Sequence, residues 1–131
     1  MSDLFDTGAI TALKRGLDYH LLRHSVIASN IANAETPGYR AQDVSFDSFL
    51  AKADQIQTTD PRHMGAGGIQ EHEMEAFDDS EASPGNDGNT VSLEREMAKI
   101  AANTIRYNAA AEILARRLAV LKYAASDGQR R

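Results

Sequence analysis

The sequence has 131 residues, the length of one small domain, with a formal net charge of −5 and only 6% aromatic residues. It contains no cysteine, which excludes disulfides, a thiol nucleophile and thiolate metal sites. No apolar run approaches the roughly 18 residues of a membrane span, and the acidic balance disfavours a nucleic-acid-binding protein.

The first predicted element is an amphipathic helix over about residues 8–33. Apolar side chains recur there at intervals of three, four or seven residues, which is the spacing of one helix face. The helix is expected to stop before Pro37-Gly38, because proline moves the preceding residue out of the helical region and Pro-Gly favours a tight turn. A short extended segment is expected at residues 41–46. The apolar face consists of Ile10, Leu13, Leu17, Leu21, Ala28 and Ile31.

The middle of the chain is acidic and lacks periodicity. Residues 55–88 have a net charge of −7, against −2 before them and +4 after them, and they contain five of the nine glycines. Such a segment buries too little apolar surface to offset the entropy lost on ordering. We therefore predict that residues 37–88 form an irregular region, with short strands at most, that projects from one end of the helical part. Phe46, Phe49 and Leu50 are expected to fold back onto the helices.

The last predicted element is a long helix that begins at Leu93, with Ser92 as its N-cap. Apolar positions follow one another at alternating spacings of four and three residues, which is a heptad repeat. We call these positions the first line, and a second line of apolar residues runs beside it. The first line contains Leu93, Met97, Ile100, Tyr107, Leu114, Leu118 and Leu121, with Thr104, Ala111 and Ala125 at its remaining positions. The second line contains Ile105, Ala109, Ile113 and Val120.

Together these elements predict a mainly α fold. Two heptad-patterned helices at the chain ends most naturally pair as an antiparallel coiled coil. Residues 1–36 and 89–131 would form a discontinuous helical axial domain, and residues 37–88 an irregular linker region. One partner helix cannot cover both apolar lines, so helices of other molecules are expected to complete the surface. The alternative is a last helix buried inside an ordinary bundle, for which the chain offers too few helices.

No motif indicates catalysis or a cofactor. His20 and His24 have the i, i+4 spacing of a metalloprotease helix, but Leu21 occupies the position of the general-base glutamate. His63 and His72 lie among acidic residues that would suit a metal ion. Acidic loops produce such clusters by chance, so we predict no catalytic, cofactor or metal residues. A small metal-dependent enzyme that uses His63 and His72 is the weaker hypothesis.

Two longer motifs resemble those of one protein family. The stretch SNIANAETPGYRA at residues 29–41 resembles the N-terminal signature of bacterial flagellar rod and hook proteins, and residues 42–46 continue it. The stretch GNTVSLEREM at residues 88–97 resembles a second signature, found in proximal rod members, with Ser92 where aspartate is usual. The first signature includes Asn30, Asn33, Thr36, Pro37, Gly38 and Tyr39, and further matches are Asn103, Arg106, Tyr107 and residues 60–64.

The resemblance implies a structural subunit of the proximal rod in the flagellar basal body. Such a subunit assembles with other rod proteins into the drive shaft between the membrane base ring and the hook. Implied partners are FlgC-like and further rod subunits, a FliE-type adaptor, the base-ring protein and the flagellar type III export apparatus. The implied location is the periplasmic rod, reached without a cleaved signal peptide, and the acidic first residues agree with that. The alternative is a soluble helical-hairpin adaptor or export chaperone.

A physical role for the first signature follows from its position at the end of the first helix. The last carbonyl groups of a helix lack intrahelical partners. The amides of Asn30 and Asn33 are therefore expected to bond those carbonyls or a neighbouring subunit.

Overall fold

Two long helices dominate the structure, which is a computed structural model. It describes residues 7–47, 49, 76–79 and 82–127. Helix α1 spans Thr7–Ala32 and helix α2 spans Leu93–Asp127. The mainly α fold predicted from the sequence is therefore confirmed, and both helices begin and end within one or two residues of the expected positions wherever a boundary was predicted.

A short antiparallel ladder joins two segments between the helices. Strand β1 spans Gln42–Asp43 and strand β2 spans Phe77–Asp78, with Gln42 opposite Asp78 and Asp43 opposite Phe77. Strand β1 falls inside the extended segment that the sequence predicts. A two-stranded ribbon is marginal in water even when it is longer, so contacts with the helices must hold this ladder in place.

The chain leaves α1 through the turn that the sequence predicts. The side-chain amide of Asn33 donates to the Ser29 carbonyl at 2.9 Å and so reinforces the last turn of the helix. Gly38 has a φ of 72°, a left-handed conformation that favours glycine because it has no Cβ. The Pro37-Gly38 pair therefore ends the helix and turns the chain back along it.

The two helices pack against each other in opposite directions. Near the turn, Asn30 of α1 contacts Glu96 of α2, and about three turns away His20 contacts Asn103. Residue numbers thus fall along α1 as they rise along α2. Extending the pairing of His20 with Asn103 brings the first residue of α1 level with about residue 116. The last turns of α2 therefore continue beyond α1.

A small apolar core lies on the side of α1, not at its end. Tyr19, Val44 and Phe49 form the buried cluster, and Ala76 packs against it. The Tyr19 hydroxyl donates to the Val44 carbonyl at 3.0 Å. The predicted return of Phe49 to the helices is confirmed, whereas Leu50 lies outside the described residues.

The described parts of the middle region lie beside the helix pair. The chain runs back along α1 after the turn, and Val44 and Phe49 pack there against Tyr19. Ala76, which follows the undescribed residues 50–75, reaches the same place. The described residues on both sides of that gap therefore lie beside the central part of α1. The prediction that this region projects from one end concerns mainly residues 50–75, which lie outside the described residues, and it stays a prediction.

Candidate functional site

The described residues contain no group of three histidine, cysteine, aspartate or glutamate side chains that could hold a metal ion. His20 and His24 do not act together there: Nδ1 of His20 lies 2.7 Å from Oδ1 of Asn103, while His24 is exposed. His63 and His72 lie outside the described residues. Among the helices that are described, none has the length and hydropathy needed to cross a membrane. The features with functional content are therefore polar contacts between the two signature motifs and apolar surfaces on α2.

The two signature motifs meet in space. Asn89, which is 6% exposed, points its side-chain amide at the carbonyls of residues 33, 34 and 36, at distances of 2.8–3.0 Å. Its side-chain oxygen accepts from the N–H of Val91 at 2.7 Å. Asn89 therefore caps the carboxyl end of α1 from the segment that leads into α2.

Backbone contacts join the same two motifs. The N–H of Gly38 donates to the Asp87 carbonyl at 3.1 Å, and the N–H of Thr90 donates to the Tyr39 carbonyl at 3.0 Å. Gly88, with φ 77°, lies so close to Gly38 that a Cβ built on it would be 3.7 Å from the Gly38 Cα. We call this contact between residues 30–41 and 87–96 the signature junction.

Asn30 is the fully buried centre of the signature junction. Its amide donates to the Gln42 carbonyl at 2.7 Å and to Oε2 of Glu96 at 2.8 Å, and its oxygen accepts from the Gln42 N–H at 3.0 Å. One asparagine side chain thus pairs with both backbone groups of a β1 residue and with α2. The amide of Asn33 does bond a carbonyl of its own helix end, but that of Asn30 serves the packing of three segments.

Six charged side chains form one cluster beside Asn30, with three cations and three anions. Asp43 binds Arg23 through two hydrogen bonds of 2.7 and 2.9 Å. Nζ of Lys99 lies 2.6 Å from Asp79, 3.1 Å from Glu96 and 3.4 Å from Asp43. We call this group the charge cluster; its members are Arg23, Asp43, Asp79, Arg95, Glu96 and Lys99.

The charge cluster favours the charged forms of three of its members, Asp43, Lys99 and Arg23. Burial opposes ionisation of Asp43, but hydrogen bonds from Arg23 and from the Val44 N–H, with the nearby positive charges, outweigh it and lower the pKa of Asp43. Burial likewise opposes the ammonium form of Lys99, but its carboxylate partners raise the pKa of Lys99 overall. The hydrogen bond to Asp43 raises the pKa of Arg23. The three cations and three anions of the cluster therefore pair with one another within the chain.

The α2 face that meets α1 is more polar than the sequence pattern predicts. Glu96 and Asn103 are each 1% exposed, and they lie seven residues apart at the centre of that face. Asn103 also donates to the His20 carbonyl at 2.7 Å. These central contacts therefore do not form a regular apolar heptad seam between α1 and α2.

Residues of the first line differ in exposure along α2. Leu93, Met97 and Leu118 are about half exposed, at 52%, 56% and 49%. The other members are partly buried; they are Ile100, Tyr107, Leu114 and Leu121. The polar position Thr104 is exposed and bonds the Ile100 carbonyl of its own helix at 2.8 Å. The first line therefore lies along the edge of the α1 contact.

The second line lies outside the face of α2 that meets α1. At about 100° per residue, its members fall between about 200° and 280° around the helix from Asn103. Ile105 is 69% exposed, Ile113 51% and Val120 50%, and Ala109 is exposed as well. Tyr123, on the same side, is 72% exposed. No described segment of the chain covers this apolar surface.

The apolar face predicted for α1 is mostly turned inward. Four of its residues are partly buried: Ile10, Leu13, Leu17 and Ile31. Leu21 is 54% exposed and Ala28 is exposed. Ile27, which the predicted face left out, is fully buried. The contact face of α1 is therefore rotated slightly from the predicted one.

Comparisons with known proteins identify the family of this chain. A family model described as "Flagella basal body rod protein" matches residues 11–40. The flagellar basal body rod protein FlgB of Cereibacter sphaeroides is 41% identical over 102 residues, which are 76% of this chain and 79% of that relative. The chain belongs to the FlgB family of flagellar basal body rod proteins.

Other FlgB proteins match over most of their length. FlgB of Escherichia coli K12 is 33% identical over 117 residues, covering 82% of this chain and 84% of the relative. FlgB of Salmonella typhimurium is 30% identical over 128 residues, covering 90% and 92%. These relatives are named as rod proteins and not as enzymes, which confirms the prediction of a non-catalytic protein.

Sequence reasoning missed several residues that organise this FlgB-family chain. Asn89 and Glu96 lie inside the second motif, residues 88–97, but their spacing did not predict that they are buried. Asn103 lies seven residues after Glu96, and that heptad spacing was the available signal. Asp43 and Lys99 carried no signal, because their pairing depends on how distant segments meet.

Proposed function

We propose that this chain is a structural subunit of the proximal rod of the bacterial flagellar basal body. In this role the chain assembles with other rod proteins into the shaft between the base ring and the hook. Membership of the FlgB family supports the rod assignment. The observation that carries the assembly mechanism is the second line, an apolar surface outside the face of α2 that meets α1.

The exposed apolar surface supports assembly through helix packing. Full burial of an exposed aliphatic side chain gains roughly 1.5–3 kcal/mol, so Ile105 and Ile113, which are 69% and 51% exposed, gain roughly 1–2 kcal/mol each when they enter an apolar contact. In the monomer these side chains stay in contact with water, whereas in an assembly the helices of neighbouring subunits would bury them. Repeated head-to-tail contacts between non-identical surfaces produce helical tubes. We propose that both lines of α2, with the exposed Leu21 of α1, form such contacts.

The proposed domain organisation follows the same division. Residues 1–36 and 89–131 form the helical axial domain, in which the ends of the chain pair as an antiparallel coiled coil. Residues 37–88 form the region outside it. The opposite running directions of α1 and α2 support this arrangement, and the polar centre of their contact marks where it departs from an ideal heptad seam.

Proposed partners are those that a proximal rod position implies. They are FlgC-like and further rod subunits, a FliE-type adaptor, the base-ring protein and the flagellar type III export apparatus. The proposed location is the periplasmic part of the basal body. The family assignment supports these proposals at the level of the basal body.

A substitution on the second line tests the proposed function. Ile113→Asp introduces a charge into the proposed contact. When this variant is the only copy, supplied to a strain whose own gene for the protein has been deleted, we expect that the cells do not swim. Electron microscopy of that strain should show basal bodies without a complete rod. The isolated protein should keep its helix content by circular dichroism, since Ile113 is 51% exposed in the single chain.

Ala119→Asp provides the matched control. Ala119 is exposed on α2 and belongs to neither line, so this variant adds the same charge beside the proposed contact and should swim. Normal motility of Ile113→Asp together with complete rods would contradict the proposed assembly surface. The adaptor or chaperone alternative is not favoured, because the relatives are named as rod components.

A further inference from the structure

Residues 76–79, which we call the return segment, reach the helices from the middle of the chain. Their ladder with β1 is only two residues long, and the N–H of Asp79 adds one backbone bond to the Ala41 carbonyl at 2.8 Å. Backbone pairing of that length is insufficient to hold a strand in water. The return segment therefore requires another attachment.

The side chain of Asp79 supplies that attachment. It is 9% exposed, and its Oδ2 lies 2.6 Å from Nζ of Lys99 and 3.2 Å from a guanidinium nitrogen of Arg95. Both cations belong to the first turns of α2. A carboxylate that is this well shielded from water forms a stronger ion pair than one at the surface.

We propose that Asp79 anchors the return segment to α2 through Lys99, as a strap that opens without unfolding the helix pair. Asp79 contributes one of the three anions of the charge cluster and is the only anion of the cluster that comes from the return segment. When it leaves, Lys99 keeps Glu96 and Asp43 as partners. The contacts of α1 with α2 are therefore not broken by opening of the strap. This inference concerns the fold of the chain alone and does not rest on the rod assignment.

Asp78 offers a matched comparison one residue away. Its carboxylate bonds Arg40 at 2.9 Å, but the two side chains are 56% and 72% exposed. Exposed ion pairs of this kind contribute little to stability. Asp78→Asn and Asp79→Asn thus make the same chemical change in the same segment, and only the second one removes the proposed anchor.

Hydrogen exchange of the full chain, followed by mass spectrometry, tests the proposal. In Asp79→Asn we expect exchange at the amides of residues 41–43 and 76–79 to speed up about tenfold, because local opening becomes easier. Exchange in the paired parts of α1 and α2 should stay within about twofold. Asp78→Asn should leave both regions within about twofold of the unsubstituted chain.

A double-mutant cycle shows whether Lys99 is the partner. In a Lys99→Gln background, Asp79→Asn should speed exchange clearly less than it does in the unsubstituted chain, because the Lys99 contact is already lost and only the longer Arg95 contact remains. Three results would overturn the proposal. Asp78→Asn and Asp79→Asn could speed exchange equally, Asp79→Asn could reduce protection in the helices as much as in the return segment, or the effects of Asp79→Asn and Lys99→Gln could be fully additive. Exchange in the unsubstituted chain that is equally fast in the strands and the helices would also overturn it.

Discussion

The two ends of the helix pair differ in their contacts: one end pairs polar side chains within the chain, and the other leaves apolar side chains exposed. At the end next to the turn, the signature junction and the charge cluster pair their polar groups within the chain, and no described buried side-chain nitrogen or oxygen lacks a hydrogen-bond partner. At the other end, α2 continues past α1 and exposes Val120 and Tyr123, and Ile113 is exposed just before that point. The first end, which we call the closed end, pairs its polar groups within the chain, although Leu93 and Met97 stay about half exposed there, whereas the second offers mainly apolar surface to other molecules.

This difference separates folding from assembly along one molecule. A polar cluster requires defined distances and angles, so it specifies one arrangement of the segments that meet in it. An apolar helix face is less directional and can pack against different neighbours. The signature motifs of the family lie in the closed end, and therefore act first on the shape of the subunit. Substitutions at the two ends should accordingly separate stability from assembly.

The largest loss of stability is expected at Glu96. Glu96→Ala removes a buried carboxylate that accepts hydrogen bonds from both Asn30 and Lys99. Hydrogen bonds to charged groups are worth about 1.5–3 kcal/mol each, so the loss of both should cost about 3 kcal/mol. We expect urea unfolding, followed by circular dichroism, to shift by that amount. Glu94→Ala is the control, because Glu94 is exposed in the same turn of α2 and should change stability by less than about 0.5 kcal/mol. Equal shifts in the two variants would contradict the role of the closed end.

A smaller loss is expected at Asn89. Asn89→Ala leaves the carbonyls that follow α1 without their side-chain donor and should cost about 1–3 kcal/mol. Asn86→Ala changes an exposed asparagine of the same loop and should have little effect. The same unfolding measurement distinguishes them. An Asn89→Ala variant as stable as Asn86→Ala would show that the cap of α1 contributes nothing.

Two glycines should respond to alanine with opposite signs. Gly38→Ala places a Cβ on a residue with φ 72°, which should cost about 1 kcal/mol. Gly16→Ala lies inside α1 with nothing within 4 Å of the added Cβ, and should stabilise the helix by up to about 1 kcal/mol. Thermal unfolding of both variants should therefore shift in opposite directions. Shifts of the same sign would contradict the turn geometry at Gly38.

The sequence predicted the helices and the turn because these depend on local chemistry. The periodic apolar residues, the Pro37-Gly38 pair and the break before Leu93 each act within a few residues. The charge cluster could not be predicted, since Arg23 and Asp43 meet only after the chain has turned back along α1. The apolar pattern of α2 also left polar Glu96 and Asn103 out of the predicted helix contact, and only their seven-residue spacing hinted at a shared face. Buried polar residues break the apolar pattern from which the contact face was predicted.

The smallest expected effect is the response of the closed end to pH. The pKa of Asp43 is lowered in the folded chain from its ordinary value of 3.8, so its contribution to stability is present above about pH 4 and is lost as the pH falls through the lowered value. The pKa of Lys99 is raised above 10.5, so its contribution is present below that pH and is lost as the pH rises through the raised value. Between these limits, the free energy of unfolding measured with urea should form a broad plateau.

Asp43→Asn should lower this plateau and flatten the fall in stability at acid pH, which we call the acid limb. Asp47→Asn changes an exposed carboxylate further along the same segment and should leave the acid limb unchanged. An acid limb that is identical in the two variants would mean that Asp43 does not couple protonation to folding, and that the closed end is held by its hydrogen bonds more than by its charges.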